Sequence, residues 1–354
     1  MNSMDRETKQ LLRWMQLLKF LILGIIVLFF STLYVLQWGI PAWISEGEIT
    51  TGEVKEDSVS RPNPLFVQVW TAPSDWRLDR LSKDQREEIQ YGKELISHTA
   101  AYLGPNGTVA HLSNGMNCQN CHVQAGQQPW GNNYFAVAST YPKFRARSGM
   151  VESQAKRVND CFERSLNGRA LDTTSREMQA ILAYMRWLGS DVKKGTVPKG
   201  SGIFKLAVLD RAADPIKGKT IYQAKCQSCH QEDGGGLKNG KEYTYPPLWG
   251  EHSYNDGAGL YRLSNFAGYV KYNMPLGATY ETPQLTDEEA WDLAAFVNSM
   301  PRPKKDIQQD WPKISEKPFD HPFGPYADPF SEDQHKFGPF GPIQKWKKEH
   351  SKSK

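Results

Sequence analysis

The sequence predicts a mainly α-helical chain: an N-terminal transmembrane helix, two tandem copies of one small helical domain, and an extended C-terminal strap of prolines and aromatics. Three observations predict it. A long uncharged apolar run starts at Phe20. The same Cys-x-x-Cys-His motif occurs at 118–122 and at 226–230, each time between similar helical flanks. Residues 301–354 include nine prolines and eight aromatics. The expected organisation is a cytoplasmic N-terminus and anchor over 1–45, a linker over 46–75, a first domain over 76–190, a linker over 191–202, a second domain over 203–301 and a tail over 302–354.

Composition narrows the class. The 354 residues carry 43 Lys+Arg against 39 Asp+Glu, a net charge of +4, so there is no broad basic field for nucleic acid. Hydrophobic residues make up only 39%, and the mean hydropathy of −0.60 excludes a multi-spanning membrane protein. Aromatics at 12%, with 22 prolines, argue against a mostly disordered chain. The five cysteines are an odd number, so at least one does something other than pair within the chain.

The anchor comes first. No charge interrupts Phe20–Ser45, and Phe20 to Trp38 spans roughly 28 Å as helix, close to a bilayer core. Trp14 lies on one side, and Trp38 and Trp43 on the other, where interfacial aromatics belong. Arg6, Lys9, Arg13 and Lys19 precede the run and Glu46, Glu48 and Glu53 follow it, which places the N-terminus in the cytoplasm and the remainder outside. The expectation is a single pass through the cytoplasmic (inner) membrane with the domains on the periplasmic side. A cleaved signal peptide is the rival. The length of the run and the exit QWGIPAWISEG, which lacks an A-x-A site, favour an uncleaved anchor.

The two motifs are Cys118-Gln-Asn-Cys121-His122 and Cys226-Gln-Ser-Cys229-His230. This spacing lets two thiols bond the vinyl groups of a haem while the histidine ligates iron. The other readings are a redox dithiol, which does not need the histidine, or half a zinc site; two copies in an exported chain favour haem. Two covalently bound haem c groups are therefore expected, on Cys118, Cys121, Cys226 and Cys229, with His122 and His230 as proximal ligands. The flanks repeat too. Tyr91-Gly-Lys-Glu-Leu-Ile96 and Lys217-Gly-Lys-Thr-Ile-Tyr222 look like the opening helix of a cytochrome c domain. Gly92 lies 26 residues before Cys118 but Gly218 only 8 before Cys226, so the first unit carries an insertion containing the turn Gly104-Pro-Asn-Gly107. The closing helices are read over Ser175–Leu188 and Thr286–Met300, the second with a capping box of Thr286 and Glu289. Between the units, Gly189–Gly202 is polar and Gly-rich, a linker.

Each iron has one axial position left. In the second unit Met274 lies 44 residues after His230 and 22 before Phe296, with His252 as the rival distal ligand. In the first unit Cys161 lies 39 residues after His122 and 23 before Tyr184, the equivalent place. Positional equivalence makes Cys161 a thiolate ligand. The other readings are a buried inert thiol, an intermolecular disulfide, or Met150 as the ligand instead. Arg145, Arg147, Arg157, Arg164 and Arg169 surround it in sequence. If this segment is helical, Arg157 and Arg164 lie on the face of Cys161. Guanidinium groups favour the thiolate and bind oxyanions through forked hydrogen bonds; a solvated surface or haem propionates would use them too.

A thiolate donor lowers a haem potential and a thioether raises it, so electrons can run from the first haem to the second. The expected substrate is a small anion that reacts at sulfur. Two haems together accept two electrons, the number needed to join two sulfur anions in a disulfide-type bond.

Cys118–His122, Tyr141-Pro142, Arg147, Arg157, the run RVNDCFERSLNG (157–168), the second motif, YNMPLG (272–277) and HPFGPYADPFSEDQHKFGPFGP (321–342) together resemble the dihaem thiosulfate dehydrogenases of the TsdA type, from about residue 60 onward. The resemblance implies an oxidoreductase that interconverts thiosulfate and tetrathionate, as thiosulfate dehydrogenase with a cytochrome-type acceptor or as tetrathionate reductase. It implies that Cys161 is both distal ligand and catalytic sulfur, leaving iron to form a thiosulfonate adduct. Arg147 and Arg157 would hold sulfonate oxygens, Ser165 would line the pocket, and Met274 would be the distal ligand of the second haem. Where some relatives carry a lysine that exchanges with this methionine, this chain has Asn273. The anchor is a departure from soluble relatives and implies electron exchange at the membrane, with a periplasmic or membrane redox partner, another cytochrome. The rivals are a Sox-type sulfur-oxidising cytochrome and a membrane-anchored dihaem electron carrier without a substrate. In the tail, the aromatics argue for a strap packed over the domains, with only the last ten residues frayed.

Overall fold

A computed structural model of the chain describes residues 4–38 and 69–350. The chain divides into two units, Met1–Pro62 and Asn63–Lys354. In the first, α1 is a continuous helix over Met4–Trp38. Its stretch Arg13–Phe30 is long and apolar enough to cross a membrane. Trp43 and most of the linker expected over 46–75 lie outside the described residues.

The second unit is mainly helical. Its first helix, α2 (Lys83–Ser97), starts at a capping box in which Ser82 and Gln85 satisfy each other's backbone N–H. A hairpin of β1 (Lys143–Arg145) and β2 (Met150–Glu152) follows the first motif. Then come α3 (Gln154–Arg164), capped by Ser153, and α4 (Arg176–Leu188), capped by Ser175. Helix α5 (Pro215–Lys225) opens the next repeat, with Pro215 in its first turn and Asp214 as its cap. A second hairpin, β3 (Leu237–Asn239) with β4 (Glu242–Tyr245), precedes α6 (Leu263–Asn273). Helix α7 (Asp287–Ser299) carries the capping box of Thr286 and Glu289 that the sequence predicts. Neither hairpin was expected; strands of three or four residues leave too short an alternation to read.

The repeat is real in three dimensions and turns on two glycines. A Cβ on Gly92 would stand 2.0 Å from the carbonyl oxygen of Ala180 and 2.9 Å from Cβ of Tyr184. A Cβ on Gly218 would stand 2.0 Å from the carbonyl oxygen of Asp292 and 2.8 Å from Cβ of Phe296. Opening and closing helices therefore touch backbone to backbone at the same point in both repeats, α2 on α4 and α5 on α7. Around these crossings lie Leu95, Ile96, Ile181 and Leu188 in one repeat and Tyr222, Trp291, Leu293 and Val297 in the other, all buried.

After α7 the chain adds α8 (Glu332–Phe337) and α9 (Gly341–His350). The expected frayed end is helical as far as His350, because Ile343 is buried and Lys347 Nζ donates to the Ser315 carbonyl at 3.0 Å. Asp320, His321, His335 and Phe340 of this segment are buried as well.

Candidate active site

The first motif follows Asn117, whose backbone N–H bonds Asn120 Oδ1 at 2.7 Å and fixes the tight turn Cys118–Asn120. The Cys118 N–H donates to Thr99 Oγ1 at 2.9 Å. Cys118, Cys121 and His122 then line a cavity of about 190 Å³ whose walls include Ile96, Tyr134, Phe162, Ile181 and Met185. Cys226, Cys229 and His230 line another, of about 530 Å³, with Leu248, Phe266, Leu293 and Val297. Cys121 lines both, so the two motifs are neighbours. Tyr269 of α6 joins them further, donating its hydroxyl to the Asn120 carbonyl at 2.9 Å.

These residues fit a covalently attached haem in each cavity. All four motif cysteines are unpaired although only two residues separate the members of each pair. Burial pushes the thiols of Cys118 and Cys121 up to about 12 and that of Cys226 up to about 11. His122 Nδ1 meets the Asn132 carbonyl and His230 Nδ1 meets the Pro246 carbonyl at 2.9 Å. A carbonyl can only accept, so Nδ1 carries the proton in both rings and Nε2 keeps its lone pair for iron. Met274, at the end of α6, lines the larger cavity with His230. The rival His252 is exposed and does not line it. Met150 is exposed on β2 and lines neither cavity.

Helix α3 brings the fifth cysteine to the smaller cavity. Cys161 lies close enough to His122 for their side chains to interact directly. Arg157, one turn earlier, places Nη1 3.1 Å from Cys161 Sγ. Burial alone would raise the Cys161 thiol; the Arg157 charge outweighs it and, with His122, brings the thiol down to about 6. The same thiolate holds the Arg157 guanidinium well above its ordinary value.

A polar cavity of about 160 Å³ shares Cys121, His122, Arg157, Cys161 and Ser165 with the apolar one and adds Arg145, Arg147, Arg164 and Arg262. Arg147, in the β1–β2 turn, donates from Nη1 to the Gly257 carbonyl at 3.1 Å. Burial, and then the charge of Arg164, push it down to about 10. Ser165 caps the C-terminus of α3 beside Cys161. Arg164, in the same lining, clasps Asp310 through Nη1 and Nη2 at 2.9 and 2.8 Å. Arg169 is not in the cavity. It is exposed and donates to the His111 carbonyl at 3.1 Å. The motifs, Cys161, Arg147, Arg157, Ser165 and Met274 thus fall on two adjoining sites.

The chain is similar to known proteins. Residues 108–193 match the SoxA/TsdA cytochrome c domain family, and residues 216–301 match the cytochrome c family. The thiosulfate dehydrogenase of Allochromatium vinosum is 41% identical over 222 residues, covering 61% of this chain and 79% of that protein. The chain belongs to the thiosulfate dehydrogenase family. The enzyme of that name from Psychrobacter arcticus is 38% identical over 232 residues, 63% of this chain and 66% of that one. The solved thiosulfate dehydrogenase (TsdBA) of Marichromatium purpuratum superposes with a TM-score of 0.62 at 31% identity. It covers 67% of this chain, which spans half the length of that longer one.

In this thiosulfate dehydrogenase family member, sequence reasoning missed the residues that hold the site from a distance. Asn132 and Pro246 set the histidine tautomers through backbone carbonyls, which no side chain advertises. Asp310 lies 146 residues from Arg164. Asp320, buried, holds Arg262 Nε at 2.8 Å.

Proposed function

We propose that this chain is a dihaem oxidoreductase that interconverts thiosulfate and tetrathionate at Cys161. The observation that carries the reading is a sulfur held by Arg157 on one side, facing His122, and opening into an arginine-lined cavity. Two thiosulfate dianions become one tetrathionate dianion and two electrons. His122 with Cys161 and His230 with Met274 would hold the irons of haems attached at the two motifs, which together would supply a two-electron acceptor.

The protein's own residues do the rest. Arg157 keeps Cys161 Sγ as a thiolate, the form that bonds sulfur. Arg147 and Arg157 clamp the sulfonate oxygens of an incoming thiosulfate, with Ser165 as a further hydrogen-bond partner. Loss of two electrons joins Cys161 Sγ to the outer sulfur of thiosulfate as a thiosulfonate. A second thiosulfate then attacks the sulfur bonded to Cys161; tetrathionate leaves and the Cys161 thiolate returns. That exchange conserves atoms and charge and needs no proton.

The same reading places a first haem domain over 76–190 and a second over 203–301, and has the tail over 302–354 pack across them as a strap. α1 acts as an uncleaved anchor, holding the haem domains on the periplasmic face of the inner membrane, where another cytochrome exchanges electrons with the second haem. The test is a steady-state assay of the purified dihaem protein with thiosulfate plus an oxidised acceptor, and with tetrathionate plus a reduced donor. Turnover in at least one direction is expected. No turnover in either direction overturns the proposal and leaves a pure electron carrier.

A further inference from the structure

Arg147 and Arg157 account for one sulfonate beside Cys161, but the reaction joins two. Two donors in the arginine-lined cavity have no role so far. The Nε–H of Arg164 and the indole Nε1–H of Trp311 are buried with no hydrogen-bond partner among the described residues. Both residues line the cavity that holds Cys161. A buried donor without an acceptor costs about 1–3 kcal/mol. Glu152 Oε2, which lines the same cavity, is likewise buried without a partner among the described residues, so two unmet donors stand against one unmet acceptor, and a ligand that supplies acceptors answers the donors.

Their settings are built rather than incidental. Arg164 spends both Nη groups on Asp310 at 2.8 and 2.9 Å, which fixes the plane of the guanidinium and leaves Nε–H as its unused donor. Trp311, the next residue after Asp310, has φ of 62°, the left-handed region that a bulky side chain rarely adopts. Its backbone N–H donates to the Arg147 carbonyl at 2.6 Å, and its ring centroid lies 5.8 Å from Arg147 Cζ. The backbone is thus held in a costly conformation by the turn that carries a proposed substrate arginine. Pairing with Asp310 also cancels the net charge of Arg164. The site offers hydrogen bonds without a full extra cation, which suits an occupant that must leave at every turnover.

We propose that Arg164 and Trp311, set by Asp310, form a second oxyanion subsite that holds the sulfonate of the second thiosulfate, equivalently the far sulfonate of tetrathionate. The proposal rests on the thiosulfate–tetrathionate reading above. The competing acceptor is a haem propionate. A haem has only two, while five arginines and this indole line the cavity.

Three measurements on the holoprotein test it. Trp311→Phe keeps an aromatic ring and removes the N–H. It is expected to raise KM for tetrathionate about fivefold or more with kcat within about twofold, the size of one lost hydrogen bond. In Cys161→Gly, calorimetric affinity for tetrathionate should fall by a similar factor when Trp311→Phe is added. The midpoint potential of the first haem should not move. If Trp311→Phe does not retain both haems, Arg164→Lys is read the same way, because it keeps a charge for Asp310 and removes Nε–H. Unchanged KM and affinity overturn the subsite; so does a shifted potential with unchanged affinity, which assigns the indole to a propionate. Cys161→Gly separates the two readings: if it is inactive while Trp311→Phe behaves as wild type, the subsite alone fails. If it turns over normally, the Cys161 reading fails first.

Discussion

Arg157 Nη1 stands 3.1 Å from Cys161 Sγ, one helical turn away on α3. A single helix face thereby supplies both the sulfur proposed to react and the charge that favours its thiolate. Replacing Arg157 removes a charge-assisted contact in a buried site, worth about 1.5–3 kcal/mol. Arg157→Ala is therefore expected to lower kcat/KM for thiosulfate by about 10- to 100-fold. Arg157→Lys should recover only part of this, since an ammonium cannot present the fork. Steady-state kinetics on holoproteins with matched haem content check it; equal activity of the Lys and wild-type enzymes contradicts the forked contact.

Met274 ends α6 in the cavity of His230, while Cys161 faces His122 in the other. Met274→Gly is expected to change the reduced spectrum and lower the potential of one haem only, because a thioether donor raises it. Spectroelectrochemical titration reads both haems together. An unchanged spectrum contradicts Met274 as a ligand.

Gly92 and Gly218 have no room for a methyl group. Each added Cβ would sit 2.0 Å from a backbone oxygen of the partner helix, and backbone cannot rotate away as a side chain can. Gly218→Ala is expected to cost about 2 kcal/mol or more by forcing α5 and α7 apart, and Gly92→Ala the same for α2 and α4. Thermal unfolding of the holoproteins measures this. A melting temperature within 1 °C of wild type, about the scatter expected for a neutral surface change, contradicts the close crossing.

His321 carries a pH dependence. Burial pushes its imidazole from 6.5 down to about 4, and the charges of Lys317, Arg147 and Arg262 add to this. The unfolded chain therefore binds a proton between pH 6.5 and about 4 that the folded chain refuses. The contribution to stability is complete above pH 6.5 and is lost as pH falls through that window, up to about 3 kcal/mol at 1.36 kcal/mol per unit. His321→Gln should flatten the fall in unfolding free energy between pH 7 and 4.5. A slope equal to wild type contradicts the buried neutral imidazole.

What the sequence made legible is what is local or covalent. The motif spacing specifies thioether attachment, and counting from each histidine to its closing helix reached Cys161 and Met274 without any contact information. The glycines of the repeated flanks were visible as residues, but their reason, a helix crossing, is tertiary. Arg169 was grouped with Cys161 by nearness in sequence, as Arg164 was, but only Arg164 lines the cavity of Cys161. In fact α3 ends at Arg164, and the left-handed turn at Asn167, with φ of 42°, carries Arg169 away to the His111 carbonyl. Asp310 and Trp311 could not be found at all, since a pairing across 146 residues leaves no periodicity to read.

The central claim is that Cys161 is the reacting sulfur. Its most direct test is turnover by purified Cys161→Gly protein, assayed with thiosulfate and with tetrathionate after both haems are confirmed by pyridine haemochrome. The account predicts two haems and no turnover in either direction. Two haems with wild-type turnover would contradict it.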